Sequence, residues 1–436
     1  MLWHNNKQNN KHNEKRWQLF EGLPLFYYLS TLMKELPLEK VQIFLAFSSF
    51  IRTFVPMIEI KRVEDLKGLE KFLQFRYDMY RDCQWAVPFL YSEEMNTLRS
   101  DRNAAFECCE SDYFLAYKDG RPVGRVAAII NHRANERWQH KQVRFGWFDF
   151  IDDLKVSRAL LETVEHWGRE RGMTEMIGPM GFTDMDREGM LIEGFEEDTT
   201  MYVNYNYPYY PQHMEQLGGF EKDNDYMECK VKVPEQVPDK FHKIAAMIGK
   251  RYNLQVRKFT RKELLAGGKG HEIFNIINAT YKDLYGYSEL SDRQINQLVD
   301  QYIKIADLNL VTAVEDWNTP EHKMVGFGIT FPSFTSALRK TRDGRLLPFG
   351  WWPLLRTLKW HKTSVVDLLL IGVLPEYRAK GANSIIFDDL IQWFQRYHFE
   401  YAETGPQMES NEGVLSQWQY LEARVHRKHR CYKKKL

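Results

Sequence analysis

Between Val366 and Glu400 the chain reads VDLLLIGVLPEYRAKGANSIIFDDLIQWFQRYHFE. The apolar run Val366–Val373 is too short to span a bilayer and is bounded by Pro375, which predicts a buried strand. A turn carrying Arg378, Lys380, Gly381 and Asn383 follows. Beyond it Ile385, Ile386, Leu390, Trp393 and Phe394 recur at helical spacing, with Asp388, Asp389 and Gln392 between them. A strand that runs through a basic, glycine-containing turn into a helix is a device for holding phosphate. The first N–H groups of the helix have no partner inside it, and its dipole favours an anion there.

Arg378-Ala-Lys-Gly381-Ala-Asn383 resembles the pyrophosphate loop of the GCN5-related N-acyltransferases (GNAT), whose pattern is Q/R-x-x-G-x-G/A. Gly372-Val-Leu-Pro375-Glu-Tyr is similar to that family's approach to the loop from its fourth strand. Asn383 stands where the family usually has Gly or Ala. The resemblance implies an α/β fold with an α+β mixed sheet. It also implies acyl-CoA or acetyl-CoA as co-substrate, no metal, and a small-molecule or lipid-like amine as acceptor. On this resemblance Arg378, Ala379, Lys380, Gly381, Ala382, Asn383 and Ser384 cradle the coenzyme, and a backbone N–H near Ile371, Gly372 and Val373 meets the oxyanion. The family's fourth helix usually opens with an Asn that reaches the pantetheine, and Asn411 falls there. A Tyr that protonates the departing thiolate often follows two helical turns on. Trp418 occupies that register, and Tyr420 is the nearest candidate acid. Glu403, at the end of the next strand, is the candidate general base, against the plainer reading of a solvated strand-end carboxylate. Asp367 is either a base or a paired edge residue, and Glu409 suits a helix-start carboxylate.

The 436 residues are too many for one ordinary core and predict two domains. At 44% hydrophobic and 27% charged the chain is globular, and a net charge of +1 gives no reason to expect nucleic acid. Five cysteines without C-x-x-C spacing predict a reduced, cytoplasmic protein. Residues 1–56 stand apart. Positions 4–16 are polar and Asn/Lys-rich, and two apolar pieces follow, Leu19–Leu32 and Val41–Val55. The extension is read as sequence upstream of a natural start at Met57, or as an amphipathic arm on a membrane surface.

Residues 57–235 predict a first copy of the fold. A strand from Met57 and a helix over Leu66–Tyr80 lead to a hairpin, Tyr113–Tyr117 with Pro122–Ile130, around Asp119-Gly120. A strand over Val143–Phe150, a helix over Val156–Arg171 and a last strand over Tyr226–Val233 follow. The join Ile151-Asp-Asp-Leu-Lys-Val156 has no Arg/Gln-x-x-Gly pattern, and its two aspartates repel a pyrophosphate. This copy therefore reads as degenerate. After a linker at Pro234–Pro238, residues 236–436 repeat the plan: a strand over Gln255–Phe259, helices, and a hairpin of Leu310–Val314 with Met324–Phe331. The opening strand and helix, a strand over Glu400–Glu403, a closing helix over Asn411–Ala423 and a basic tail complete it.

Two segments bear on the substrate. Gly178–Gly189, with Glu193–Phe195, is a polar, aromatic loop read either as an acceptor face or as a structural connection. Leu346–Arg356 holds Phe349, Trp351, Trp352, Leu354 and Leu355. It is read as a helix packed between the domains or as a wall for a long acyl chain or lipid-like amine. In the second reading Arg356, Lys359, Lys362 and the basic tail face phosphate or make a peripheral contact with an anionic membrane. Both segments resemble bacterial ceramide synthases. The alternative function is a binding or scaffold protein that keeps the fold without the reaction. Transfer from aminoacyl-tRNA, as in tandem-fold peptidoglycan-bridge enzymes, is disfavoured by the intact pyrophosphate-type loop.

Overall fold

The computed structural model describes residues 58–436 apart from 237–238, 285, 412, 414–416 and 419–420. The expectations for residues 1–56 and for Tyr420 lie outside the described residues. Strand β1 (Glu59–Arg62) and helix α1 (Leu66–Met79) open the first half. Asp119 and Gly120, both at positive φ, turn β2 (Cys109–Lys118) back onto β3 (Arg121–Asn131). Strand β4 (Gln142–Phe150) pairs antiparallel with β3, and helix α2 (Leu154–Glu170) crosses over so that β5 (Glu175–Gly178) runs parallel to β4. Strand β6 (Met190–Glu193), helix α3 (Tyr209–Leu217) and strand β7 (Glu221–Lys232) follow.

The second half repeats this order. Helix α4 (Asp239–Tyr252) and β8 (Leu254–Arg257) precede helices α5 (Lys269–Tyr281) and α6 (Asp292–Leu298). Then come β9 (Val311–Asp316), β10 (Lys323–Pro332), α7 (Trp351–Trp360) and β11 (Val365–Val373). Helix α8 (Ala382–Arg396), β12 (Tyr401–Thr404), β13 (Gln407–Met408) and β14 (Ala423–Lys435) complete the chain.

The fourteen strands of the described residues join one mixed sheet, in the order β1-β2-β3-β4-β5-β14-β7-β12-β11-β10-β9-β8, with β6 beside β14 and β13 beside β7. The order is the same read from either end once the halves are exchanged. The basic tail expected from Arg424 is in fact β14, at the centre of the sheet. Its Arg427 and Arg430 stand opposite Glu228 and Asp225 of β7, so opposite charges pair across the strands. Much of the helix expected over Asn411–Ala423 lies outside the described residues, and Ala423 already belongs to β14.

The glycines shared by Val123-Gly124 and Val325-Gly-Phe-Gly328 have a common physical cause. A Cβ on Gly124 would lie 2.8 Å from Leu160 of α2; one on its counterpart Gly326 would lie 3.4 Å from Ile386 of α8, and one on Gly328 2.7 Å from the same side chain. In both halves the crossover helix packs directly on the third strand. Helix α8 buries Ile385, Ile386, Leu390, Ile391 and Phe394 there, each worth about 1.5–3 kcal/mol relative to exposure.

Candidate functional site

Strands β11 and β12 pair in parallel from Val365↔Tyr401 to Leu368↔Thr404, and there the ladder ends. Strand β11 continues to Val373 along β10, with a bulge that leaves Leu369 unmatched between the Ile329↔Leu370 and Thr330↔Leu368 pairs. The two strands splay apart, and a cleft of about 430 Å³ opens along Leu369–Val373. Its wall includes Asn383 and Phe387 of α8, Asn411 and Trp418, and, from the first half, Asp184, Glu188 and Tyr226.

The predicted loop stands at the cleft's edge. Pro375–Arg378 form one short helical turn, and Gly381, at φ 79°, hands the chain to α8 with no side chain capping its first turn. A left-handed residue here favours glycine. Ser384 Oγ donates to Gly381 O at 2.7 Å. Arg378 folds back, its Nε donating to Val373 O at 2.9 Å and its Nη2 to Thr280 O at 3.0 Å, so it clamps the end of β11. Lys380 Nζ lies 4.1 Å from the centre of the Tyr377 ring. Ala379 is exposed and Ala382 fully buried on the two sides of this turn. Arg378, Asn383 and the splayed backbone of Ile371–Val373 therefore meet at one cleft, with Gly381 packed behind them against Ile248, and an anionic group at the α8 start would face an uncapped helix end. The uncapped helix start beside the cleft fits a phosphate group.

Glu403 lies in a different environment. Only 6% exposed, it meets Arg427 Nη2 at 3.1 Å and Lys230 Nζ at 3.6 Å. Burial pushes its carboxyl up against the pull of those two cations. Arg427 also holds Glu228 at 2.7 Å, and both side chains are fully buried. Asp367, opposite Glu403 in register, is buried with neither oxygen hydrogen-bonded, although Ser333 is nearby, and burial holds its carboxyl well above the usual range. These charges tie β7, β12 and β14 together.

The carboxylates that do line the cleft come from the Gly178–Gly189 loop. Asp184 accepts a hydrogen bond from Ser288 N at 3.0 Å, which joins the loop to the second half. Glu188 is buried within hydrogen-bonding reach of the Tyr226 hydroxyl. Burial, with Asp184 nearby, pushes Glu188 up to about 8. The signal in the sequence is the alternation Asp184, Asp186, Glu188 between glycines; it marks a loop, and only the fold turns it into the cleft.

The matching splay in the first half is filled. Beyond the last rung, Arg144↔Ile177, the Asp149 carboxylate is held by Arg76 and Arg125, each at 2.7 Å, and a space of only about 30 Å³ remains. The start of α2 is capped by Asp153, which accepts from Lys155 N at 3.0 Å and pairs with Lys118 at 2.7 Å. A carboxylate already occupies the position an anion would take.

The architecture is a tandem GNAT fold. A solved tandem GNAT protein from the clavulanic acid biosynthesis pathway, determined without AcCoA, matches with a TM-score of 0.50 and 12% identity over 87% of this chain and 98% of its own. In sequence the chain is 25% identical to Protein YghO of Escherichia coli (strain K12) over 397 residues, 90% of this chain and 97% of that protein. It is 24% identical to the bacterial ceramide synthase of Caulobacter vibrioides (strain NA1000 / CB15N) over 318 residues, 70% of this chain and 77% of that one. No family model matches the chain.

Proposed function

We propose that the protein transfers an acyl group from a CoA thioester to the amine of a lipid-like acceptor, with the second half holding the thioester and the first half lending the base. The observation that carries this reading is the cleft at the β11–β12 splay, bordered by the uncapped start of α8 and by Glu188. The thioester supplies an activated acyl carbon. The α8 start and the Gly381 turn bind its phosphates. Backbone N–H groups of β11 beyond the Leu368 rung stabilise the negative charge that develops on the acyl oxygen. Glu188 accepts the proton that the amine loses as the C–N bond forms and the C–S bond breaks. Tyr226, kept protonated by burial and by the neighbouring carboxylate, is a hydroxyl in the cleft able to return a proton to the thiolate. The ceramide synthase relative favours a long-chain amine as acceptor.

Calorimetry with a CoA thioester tests the site. Binding is expected in the intact protein and should fall at least tenfold in Gly381→Val. Equal affinity in the two proteins refutes the assignment. Mass spectrometry of reactions with long-chain amines tests the chemistry: thioester binding without any N-acylated product leaves a binding protein rather than an enzyme.

A further inference from the structure

The segment Leu346–Trp360 takes no part in the cleft. Leu354 and Leu358 of α7 pack onto the large core of the second half, and Thr357 is buried. The opposite half of the helix turns outward. Leu347 and Phe349, in the approach to α7, are 79% and 80% exposed, and Trp351, Trp352 and Trp360 are each nearly half exposed. The three indoles form one ridge, with ring centres 5.6 Å apart for Trp351–Trp352 and 5.9 Å for Trp352–Trp360. Exposed Arg356 and Lys359 sit among them on the same face, with Lys362 just beyond. From Gly344 to Val366 there is no Asp or Glu.

We infer that this ridge docks the protein on the surface of an anionic phospholipid bilayer, with the indoles and Phe349 in the headgroup boundary and the cations against lipid phosphate. Indole rings prefer that boundary because one edge is apolar and the other donates a hydrogen bond. The basic residues complement a negative surface potential. Charge also argues against a second copy as occupant: a two-fold interface sets the same patch against itself and would bring these cations together. Among the described residues no helix is long and apolar enough to cross a membrane.

Vesicle co-sedimentation of the full chain tests this. Binding to vesicles of mixed zwitterionic and anionic phospholipid should exceed binding to purely zwitterionic vesicles about tenfold or more. Tryptophan emission should shift to the blue on the mixed vesicles. Phe349→Ser with Trp352→Ser, and separately Arg356→Glu with Lys359→Glu, should abolish binding while thermal melting and CoA-thioester affinity stay unchanged. That last control separates this inference from the acyl-transfer reading. Vesicle binding that survives both variants overturns the inference. So does absence of vesicle binding by the full chain, as a ridge covered by another part of the chain would give. A concentration-dependent dimer that disappears with Phe349→Ser, without vesicle binding, assigns the ridge to a second copy instead.

Discussion

At the scale of single residues, Glu188 makes the sharpest claim. Its folded value, about 8, lies above the ordinary 4.5 of a glutamate, so the fold favours its protonated form. The stability this group contributes is fully present below the ordinary value and is withdrawn as pH rises toward 8. The carboxylate form, which serves as base in the proposed reaction, is populated over that same rise. Two opposed trends follow. Acyl transfer by the intact protein should increase from pH 6 toward pH 8, whereas Glu188→Gln should be slower by about a hundredfold and nearly flat with pH. Conversely, Glu188→Gln should melt higher than the intact protein at pH 8 and lose that advantage near pH 5, because the variant has no charge to bury. Parallel pH profiles of rate and of melting temperature check both. Asp184 lines the same cleft, so the two carboxylates titrate as a pair, and the measured inflections belong to the pair. Gly381→Val acts by another route. It forces a β-branched residue to φ near 79° and sets a Cβ 2.8 Å from the buried Ile248, costing about 1–2 kcal/mol or more, so its loss of CoA affinity should come with a lower melting temperature.

At the scale of elements, what the sequence disclosed depended on whether a segment's partners were local. The β11–turn–α8 unit was legible because its apolar run, its glycine and its helical period all lie within one contiguous stretch. The Asp119-Gly120 hairpin was legible for the same reason. Strand β14 was not. Its inward side chains include Arg427 and His429, which look solvated until Glu228 is known to face them from β7, some two hundred residues away. Glu403 misled similarly: a strand-end carboxylate beside a cleft suggests a base, but the arginine it meets lies on β14. The same network yields a prediction. Arg427→Met leaves Glu228 and Glu403 buried without their shared cation, and should cost about 3–5 kcal/mol in urea denaturation. Adding Glu228→Gln and Glu403→Gln to Arg427→Met should recover much of that loss, since the residual penalty is that of unpaired charge. If the triple variant is no more stable than the single one, packing of the guanidinium rather than charge compensation holds these strands.

At the scale of the whole molecule, the tandem plan differs from two beads on a string. We read residues 57–235 and 236–436 as the two repeats, yet β7, which ends the first, pairs only with β12, β13 and β14 of the second among the described strands. Strand β14, which ends the second, pairs only with β5, β6 and β7 of the first among the described strands. Each repeat thus gives its last strand to the other, and a repeat made alone keeps a long strand with no neighbour of its own. An unpaired strand of that length exposes a row of backbone donors and acceptors and invites aggregation. Expressed separately, residues 58–235 and 236–436 should be insoluble or collapse without native sheet; expressed together, they should assemble one-to-one and recover CoA-thioester binding. The intact chain should unfold in a single calorimetric transition whose van't Hoff and calorimetric enthalpies agree. A soluble, cooperatively folding half, or two separated transitions in the intact protein, would mean that the exchanged strands contribute little to holding the repeats together. On our reading of the first half as a degenerate repeat, the exchange gives it a continuing part: it supplies Glu188 to the cleft and β7 to the sheet beside it, and neither needs an anion site of its own.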